Sequence, residues 1–336
     1  MNSNERVMKR LRSEPVDRPP NFNILMTFAA HYIRQPLSRY YLDYKVLVQA
    51  NLAMLQTFNL DIAQTISDPY REAADFGLEV EFPDDGLPLR RGPLITDVSD
   101  LKRLSIPDPA GGRRMSDRLE AVRSLREKVG GEVPIMGWVE GALAEANALR
   151  GDTSLMLDLH DRPEWVHELL EICTEAAIKF AKAQIHAGAD IIGLGDAIAS
   201  QVSPAMYQEF ALPYEKRIFH EVHEMGGLAR LHICGNTSRI LALIPLTGAD
   251  IFDLDWMVDL RIAREKFGDE GPAICGNFDP VRAMLQSTPE KIHDTVWSCL
   301  RAGGPRCISA AGCEIPDGTP CENLLAHAQA LAGYHG

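Results

Sequence analysis

A chain of 336 residues with 46% apolar and 24% charged residues can build a large core and has the make-up of an ordinary globular protein. Its 34 Lys and Arg against 47 Asp and Glu leave a formal charge of −13, which argues against nucleic acid or an anionic membrane as the main partner, since both reward clustered cations. No apolar run approaches the roughly 20 residues that span a bilayer, residues 1–20 lack the apolar stretch of a secretory signal, and seven scattered Cys do not suggest a disulfide framework, so a cytoplasmic protein is expected.

In chain order, short apolar runs alternate with longer helical stretches. Runs at 22–26 and 61–66 come first. The segment 76–94 then reads as an extended hairpin with Asp84-Asp85-Gly86 near its turn, an excursion that decorates the core. Runs at 134–138, 190–194, 229–233, 250–254, 272–275 and 306–310 follow, apolar enough for burial on both faces. Between them, Val166, Leu169, Leu170, Cys173, Ala177, Phe180 and Ala181 recur at three- and four-residue steps, which predicts a helix over 163–187. Thr288 as N-cap and Pro289 at the first helical position open another that runs to about Arg301. Gly188, Gly248 and Gly303/Gly304 stand where left-handed C-caps belong. Strands alternating with helices imply parallel pairing. Eight such units predict one domain over 1–336, a closed (β/α)8 TIM barrel with an N-terminal extension and a hairpin excursion. An open doubly wound sheet is the alternative.

The residues richest in chemistry are Leu231-His232-Ile233-Cys234-Gly235. On a strand, residues two apart share a side, so His232 and Cys234 project together at its carboxyl end, where barrel active sites form. Imidazole and thiolate are both good zinc ligands, but a catalytic zinc takes three from the protein. Cys313, in Ala310-Ala311-Gly312-Cys313-Glu314, ends another run on the same rim. Position alone leaves these three open as metal ligands or as core and substrate contacts. Cys173, Cys275, Cys299, Cys307 and Cys321 read as inert small hydrophobes. Asp196, Asp253 and Asp255 also fall at strand ends, where a carboxylate can be a fourth ligand, orient His232 through its second nitrogen, or touch substrate. Glu140 and Glu314 are further candidates for the fourth position. Asn277 and Asp279 are candidates for ligand contact, although Asn-Phe-Asp-Pro is also good turn chemistry.

A set of motifs spans nearly the whole chain: Glu5-Arg6-Val7, Pro15-Val16-Asp17-Arg18-Pro19-Pro20, Asp196, Ser203-Pro204 with Tyr207, Phe210 and Pro213-Tyr214, His232-x-Cys234-Gly235, Gly276-Asn277-x-Asp279-Pro280, and Gly312-Cys313 followed by Ile315-Pro316 and Thr319-Pro320. On these the chain resembles the uroporphyrinogen decarboxylase superfamily, and within it the methylcorrinoid-dependent methyltransferases of the coenzyme M type. The resemblance implies zinc (Zn2+) held by His232, Cys234 and Cys313. It also implies substrate contacts at Asp196, Asn277 and Asp279, with Asp253 a further candidate from its strand-end position, and methyl transfer to a small thiol such as coenzyme M or homocysteine. The methyl donor would be a methylcobalamin-type corrinoid on a separate partner protein, since a single barrel leaves no cobalamin domain. A methylcorrinoid:tetrahydrofolate methyltransferase, a non-catalytic ligand-binding relative and a decarboxylase are the competing readings. The decarboxylases grip substrate carboxylates with arginines after the first strand, whereas here 25–31 has none and the next is Arg34.

Overall fold

The computed structural model describes residues 1–334. Its centre is a parallel sheet curled into a half-barrel, made of β1 (Ala63–Gln64), β4 (Ile135–Glu140), β5 (Ile191–Gly195), β6 (Leu228–His232), β7 (Ile251–Asp253) and β8 (Ala273–Cys275), hydrogen-bonded in that order. Strands β2 (Val80–Glu81) and β3 (Leu89–Arg90) form the antiparallel hairpin expected between 76 and 94. Every residue of β4 and β5 is buried, as the apolar runs require. Trp138 on β4 faces Gly193 on β5. A β-carbon on Gly193 would lie 2.3 Å from the indole, so the glycine lets the ring lie flat across the neighbouring strand.

Two expected strands are not ladders. Residues 22–26 and 306–310 are joined to the structure by isolated parallel bridges, Asn21 with Ser309 and Cys275 with Ile308. The reason lies in amide side chains. Phe22 N donates to Ser309 O and Ser309 N to Pro20 O, but beyond that pair Asn23 Oδ1 takes the Ala311 N–H at 2.8 Å. Gln64 Nε2 donates to Asn23 O, and Asn51 Oδ1 accepts from Gln64 N, so side chains stand in for ladder bonds and β1 shrinks to two residues. The interior of the curl is nevertheless continuous. Phe22 and Ile24, Ile62 and Ile66, Met136 and Trp138, Ile191, Ile251 and Ile308 form one apolar cluster, and Val7 of the helix Ser3–Leu11 joins it. A larger core packs the outer face of the sheet against the helices.

The helix Pro163–Ala187 has the expected bounds, and Gly188 closes it in the left-handed region with φ 115°. The helix Pro289–Gly303 starts after Thr288 as expected and runs two residues past Arg301, with Gly304 following at φ 81°. No helix among the described residues is long and apolar enough to cross a membrane.

Candidate functional site

The carboxyl ends of β4, β5 and β6 converge on one cavity of about 350 Å³. On β6, Arg230 and His232 point to the same side and reach Asp253 of β7, the register partner of His232. Arg230 Nε donates to Asp253 Oδ1 at 2.8 Å, and His232 Nδ1 lies 2.8 Å from Asp253 Oδ2. The other ring nitrogen, Nε2, is 3.0 Å from Cys234 Sγ, which is 3.7 Å from Cys313 Sγ. One ligand atom from each of the three residues falls within 4.8 Å of the others.

Two glycines set the cysteines. Gly235 turns the chain with φ 90° and donates its N–H to Asp255 Oδ2 at 2.9 Å. Gly312 packs directly on the backbone of Asp255 and Trp256, where a β-carbon would come within 2.3 Å of the Trp256 nitrogen. This close approach delivers Cys313 to the site from the far end of the sequence.

The electrostatics favour a thiolate facing a fixed imidazole. Burial opposes charge on His232, but Cys234, Asp253 and Cys313 outweigh it and push the imidazole pKa well up. The hydrogen bond from Cys234, helped by His232, brings the Cys313 thiol down to about 4, while the same bond pushes Cys234 up. The pair therefore gives up its first proton easily and its second reluctantly. Burial raises Asp253, yet Arg230 and His232 hold it at about 2, a permanent carboxylate.

The cavity walls are largely apolar, with Ile24, Met26 and Ile66 from below and Leu87 and Pro88 from the hairpin. Trp138 forms a further wall, its ring centroid 5.9 Å from that of His232. Asp68, Glu140 and Glu314 supply carboxyl groups, and among the described residues no Lys or Arg lines the cavity.

Of the residues singled out from sequence, His232, Cys234 and Cys313 come together, and Asp253 sits behind the histidine. Glu140 and Glu314 line the cavity but are outside the three-residue ligand cluster. Glu140 Oε1 accepts from Arg71 at 2.6 Å and Trp138 at 3.0 Å, and burial raises its pKa to about 7. Glu314 Oε1 accepts from the Thr27 N–H and hydroxyl. Asp196 is fully buried beside Gly141, with neither carboxyl oxygen hydrogen-bonded, while its neighbours Gly195 and Ala197 line the cavity. Asn277 donates to the carbonyls of Asp255 and Val258, and Asp279 caps the turn at Pro280–Leu285, so both brace the rim. Arg230, Asp68 and Trp138 were not singled out. A charged residue two before His232 inside an apolar strand was the available signal for Arg230.

A profile of the uroporphyrinogen decarboxylase (URO-D) family matches residues 2–334. The chain is 29% identical over 340 residues to "Methylcobamide:CoM methyltransferase MtbA" of Methanosarcina mazei, covering 98% of this chain and 97% of the relative. It is 31% identical over 319 residues to a uroporphyrinogen decarboxylase of Xanthomonas oryzae pv. oryzae, covering 89% and 88%. Among solved structures, a methyltransferase from Methanosarcina mazei superposes with a TM-score of 0.90 at 25% identity over 98% of each chain. A B12-independent methionine synthase from Shewanella sp. W3-18-1 shares the fold, with a TM-score of 0.59 at 13% identity over 93% and 96%. With residues 2–334 matched and its strand ends arranged as above, the chain belongs to the uroporphyrinogen decarboxylase family.

Proposed function

We propose that the chain is a closed (β/α)8 enzyme that moves a methyl group from a methylated corrinoid on a separate protein to a small thiol, with zinc held by His232, Cys234 and Cys313. The observation that carries this reading is the convergence of one imidazole nitrogen and two thiols within 4.8 Å, the histidine's other nitrogen being taken by Asp253. The bridges Asn21–Ser309 and Cys275–Ile308 support closure of the sheet by the first and last segments. The MtbA relative's name supports a methylcobamide donor and a thiol acceptor.

The donor set fits zinc: two thiols and an imidazole that would bind as thiolates and neutral imidazole by releasing their protons to solvent, three ligands with room for a fourth. Zinc bound there supplies a Lewis acid that keeps an added thiol deprotonated at neutral pH. The residues do the rest. Asp253 fixes the tautomer and ring plane of His232, and Arg230 fixes Asp253. Trp138, Ile24 and Met26 exclude water from the acceptor sulfur. In the transfer, the acceptor sulfur forms a bond to the methyl carbon and the cobalt–carbon bond of the donor breaks, its electron pair staying with the corrinoid. The acceptor's thiol proton is released. Decarboxylation of a porphyrinogen is disfavoured because its several carboxylates would meet a cavity wall with three carboxyl groups and no Lys or Arg among the described residues.

The test is metal content beside turnover. About one zinc per chain in the parent and none in a Cys234→Ala, Cys313→Ala double variant is expected, together with thiol-dependent loss of the methylcobalamin spectrum in the parent alone. Absence of zinc in the parent even after reconstitution overturns the reading, as does decarboxylation of uroporphyrinogen.

A further inference from the structure

The acceptor has a second end besides its sulfur, and the cavity constrains it. Three carboxyl groups line the space, and their partners differ. Asp68 is spent: Oδ2 accepts from Ser67 and Arg114, and Oδ1 from the Tyr70 N–H. Glu314 likewise takes both its hydrogen bonds, from the Thr27 N–H and hydroxyl, on Oε1, but it lies next to Cys313 and away from Trp138 and Arg71 in its bonding. Glu140, at the end of β4 and 7% exposed, takes Arg71 and Trp138 on the single oxygen Oε1. Among the described residues no hydrogen bond reaches Oε2, on a side chain that lines the cavity.

The nearby charge is lopsided. Arg71 is fully buried, does not line the cavity, and is shared between Glu140, Glu72 and the Asp68 carbonyl. Behind Glu140 lies Glu145, close enough to feel both Glu72 and Glu140, with neither of its carboxyl oxygens hydrogen-bonded. A ligand sulfonate or carboxylate entering beside Glu140 meets carboxyl groups and, among the described residues, no lining Lys or Arg, at the cost of its own hydration. An ammonium meets a buried carboxyl oxygen that takes no hydrogen bond and whose ionised form it stabilises, with the Trp138 indole beside it.

We propose that Glu140 is a specificity-determining residue that binds an ammonium group, so that the acceptor is an aminothiol rather than a sulfonate- or carboxylate-terminated thiol. This rests on the thiol-transfer reading above and narrows it. The Methanosarcina mazei relative is named for coenzyme M, and this chain takes an acceptor of opposite charge.

The test uses the zinc-reconstituted protein with methylcobalamin and four short thiols: 2-aminoethanethiol, 2-mercaptoethanol, 3-mercaptopropionate and 2-mercaptoethanesulfonate. The amine is expected to exceed both anions in kcat/KM by about tenfold or more, the worth of one charge-assisted hydrogen bond. Glu140→Gln is expected to collapse the ratio of the amine to the uncharged thiol. Because that change leaves Arg71 with one carboxylate fewer, Glu314→Gln serves as a folded comparison that removes a lining carboxyl group and keeps the amine preferred. Calorimetric titration with propylammonium and with propanesulfonate gives a readout independent of methyl transfer, and only the cation is expected to bind. Preference for the sulfonate, or binding of propanesulfonate in place of the cation, overturns the proposal. Propylammonium binding without methyl transfer to any thiol overturns the thiol-transfer reading and leaves Glu140 as a cation site.

Discussion

His232 and Asp253 face each other across β6 and β7, and their 2.8 Å contact commits Nδ1 to the carboxylate and leaves Nε2 to the cysteines. Asp253 has a second duty, the buried guanidinium of Arg230. Asp253→Asn is therefore expected to cost metal affinity and stability together: about 10- to 100-fold in zinc binding, and about 3 kcal/mol or more from the unpaired charge. An Arg230→Met, Asp253→Asn double variant should recover the stability and keep the affinity loss. Zinc competition with a coloured chelator, run beside denaturant unfolding, separates the two.

Metal removal should be visible as stability. A ligand that binds only the folded chain stabilises it by about 2.7 kcal/mol at 100 times its Kd. Chelation is expected to lower the melting temperature of the parent and to leave Cys313→Ala where it already lies. Equal responses in the two proteins would show that the ion sits elsewhere.

Gly312 offers a test of how Cys313, the third proposed zinc ligand, is placed. A methyl group there has to push the Asp255–Trp256 backbone aside, so Gly312→Ala should destabilise by about 1–3 kcal/mol and displace Cys313. Loss of zinc in a variant that touches no ligand, measured by metal analysis of the folded fraction, is the expected result.

His327 governs a pH limit. It is fully buried between Ser309 Oγ, 2.9 Å from Nε2, and Asn23 Nδ2, 3.3 Å from Nδ1. Burial holds its pKa at about 3, with Arg18 adding to the effect. The unfolded ring titrates near 6.5, so as the pH falls the unfolded state takes up the proton first. The stabilising contribution is complete above about 6.5 and is lost progressively down to about 3. His327→Gln removes this dependence. Between about pH 5.5 and 4.5 the parent should lose roughly 1.4 kcal/mol more than the variant, measured as the difference in denaturant midpoints.

The legible part of this molecule was the part written in local periodicity. The apolar runs at 134–138 and 190–194 became β4 and β5 within two residues, because strands buried on both faces carry an unbroken apolar signal. The runs at 22–26 and 306–310 carry the same signal, yet Asn23 and Gln64 divert their hydrogen bonds, an effect that depends on partners 288 and 41 residues away. The pairing of His232 with Cys234 follows from the two-residue period of a strand. The role of Asp253 could be narrowed to three options and no further, since choosing among them needs the register of β6 on β7. Leu87 and Pro88 of the hairpin and Trp138 of β4 reach the cavity from separate elements, and no spacing along the chain reveals that.

The hydrogen bond between Ala311 and Asn23 also sets a timetable. A ribosome adding about 5–20 residues per second needs roughly 15 to 60 seconds to cover the 288 residues between them. Throughout that interval the first segment has its partners at Phe58, Asp61 and Gln64 but none from the last segment, and Cys234 waits for a thiol that is 79 residues further on. The nascent chain can thus assemble most of its sheet while its centre stays unfinished. A message truncated just short of codon 313 would yield a largely built protein with two of the three cluster side chains and nothing to complete them.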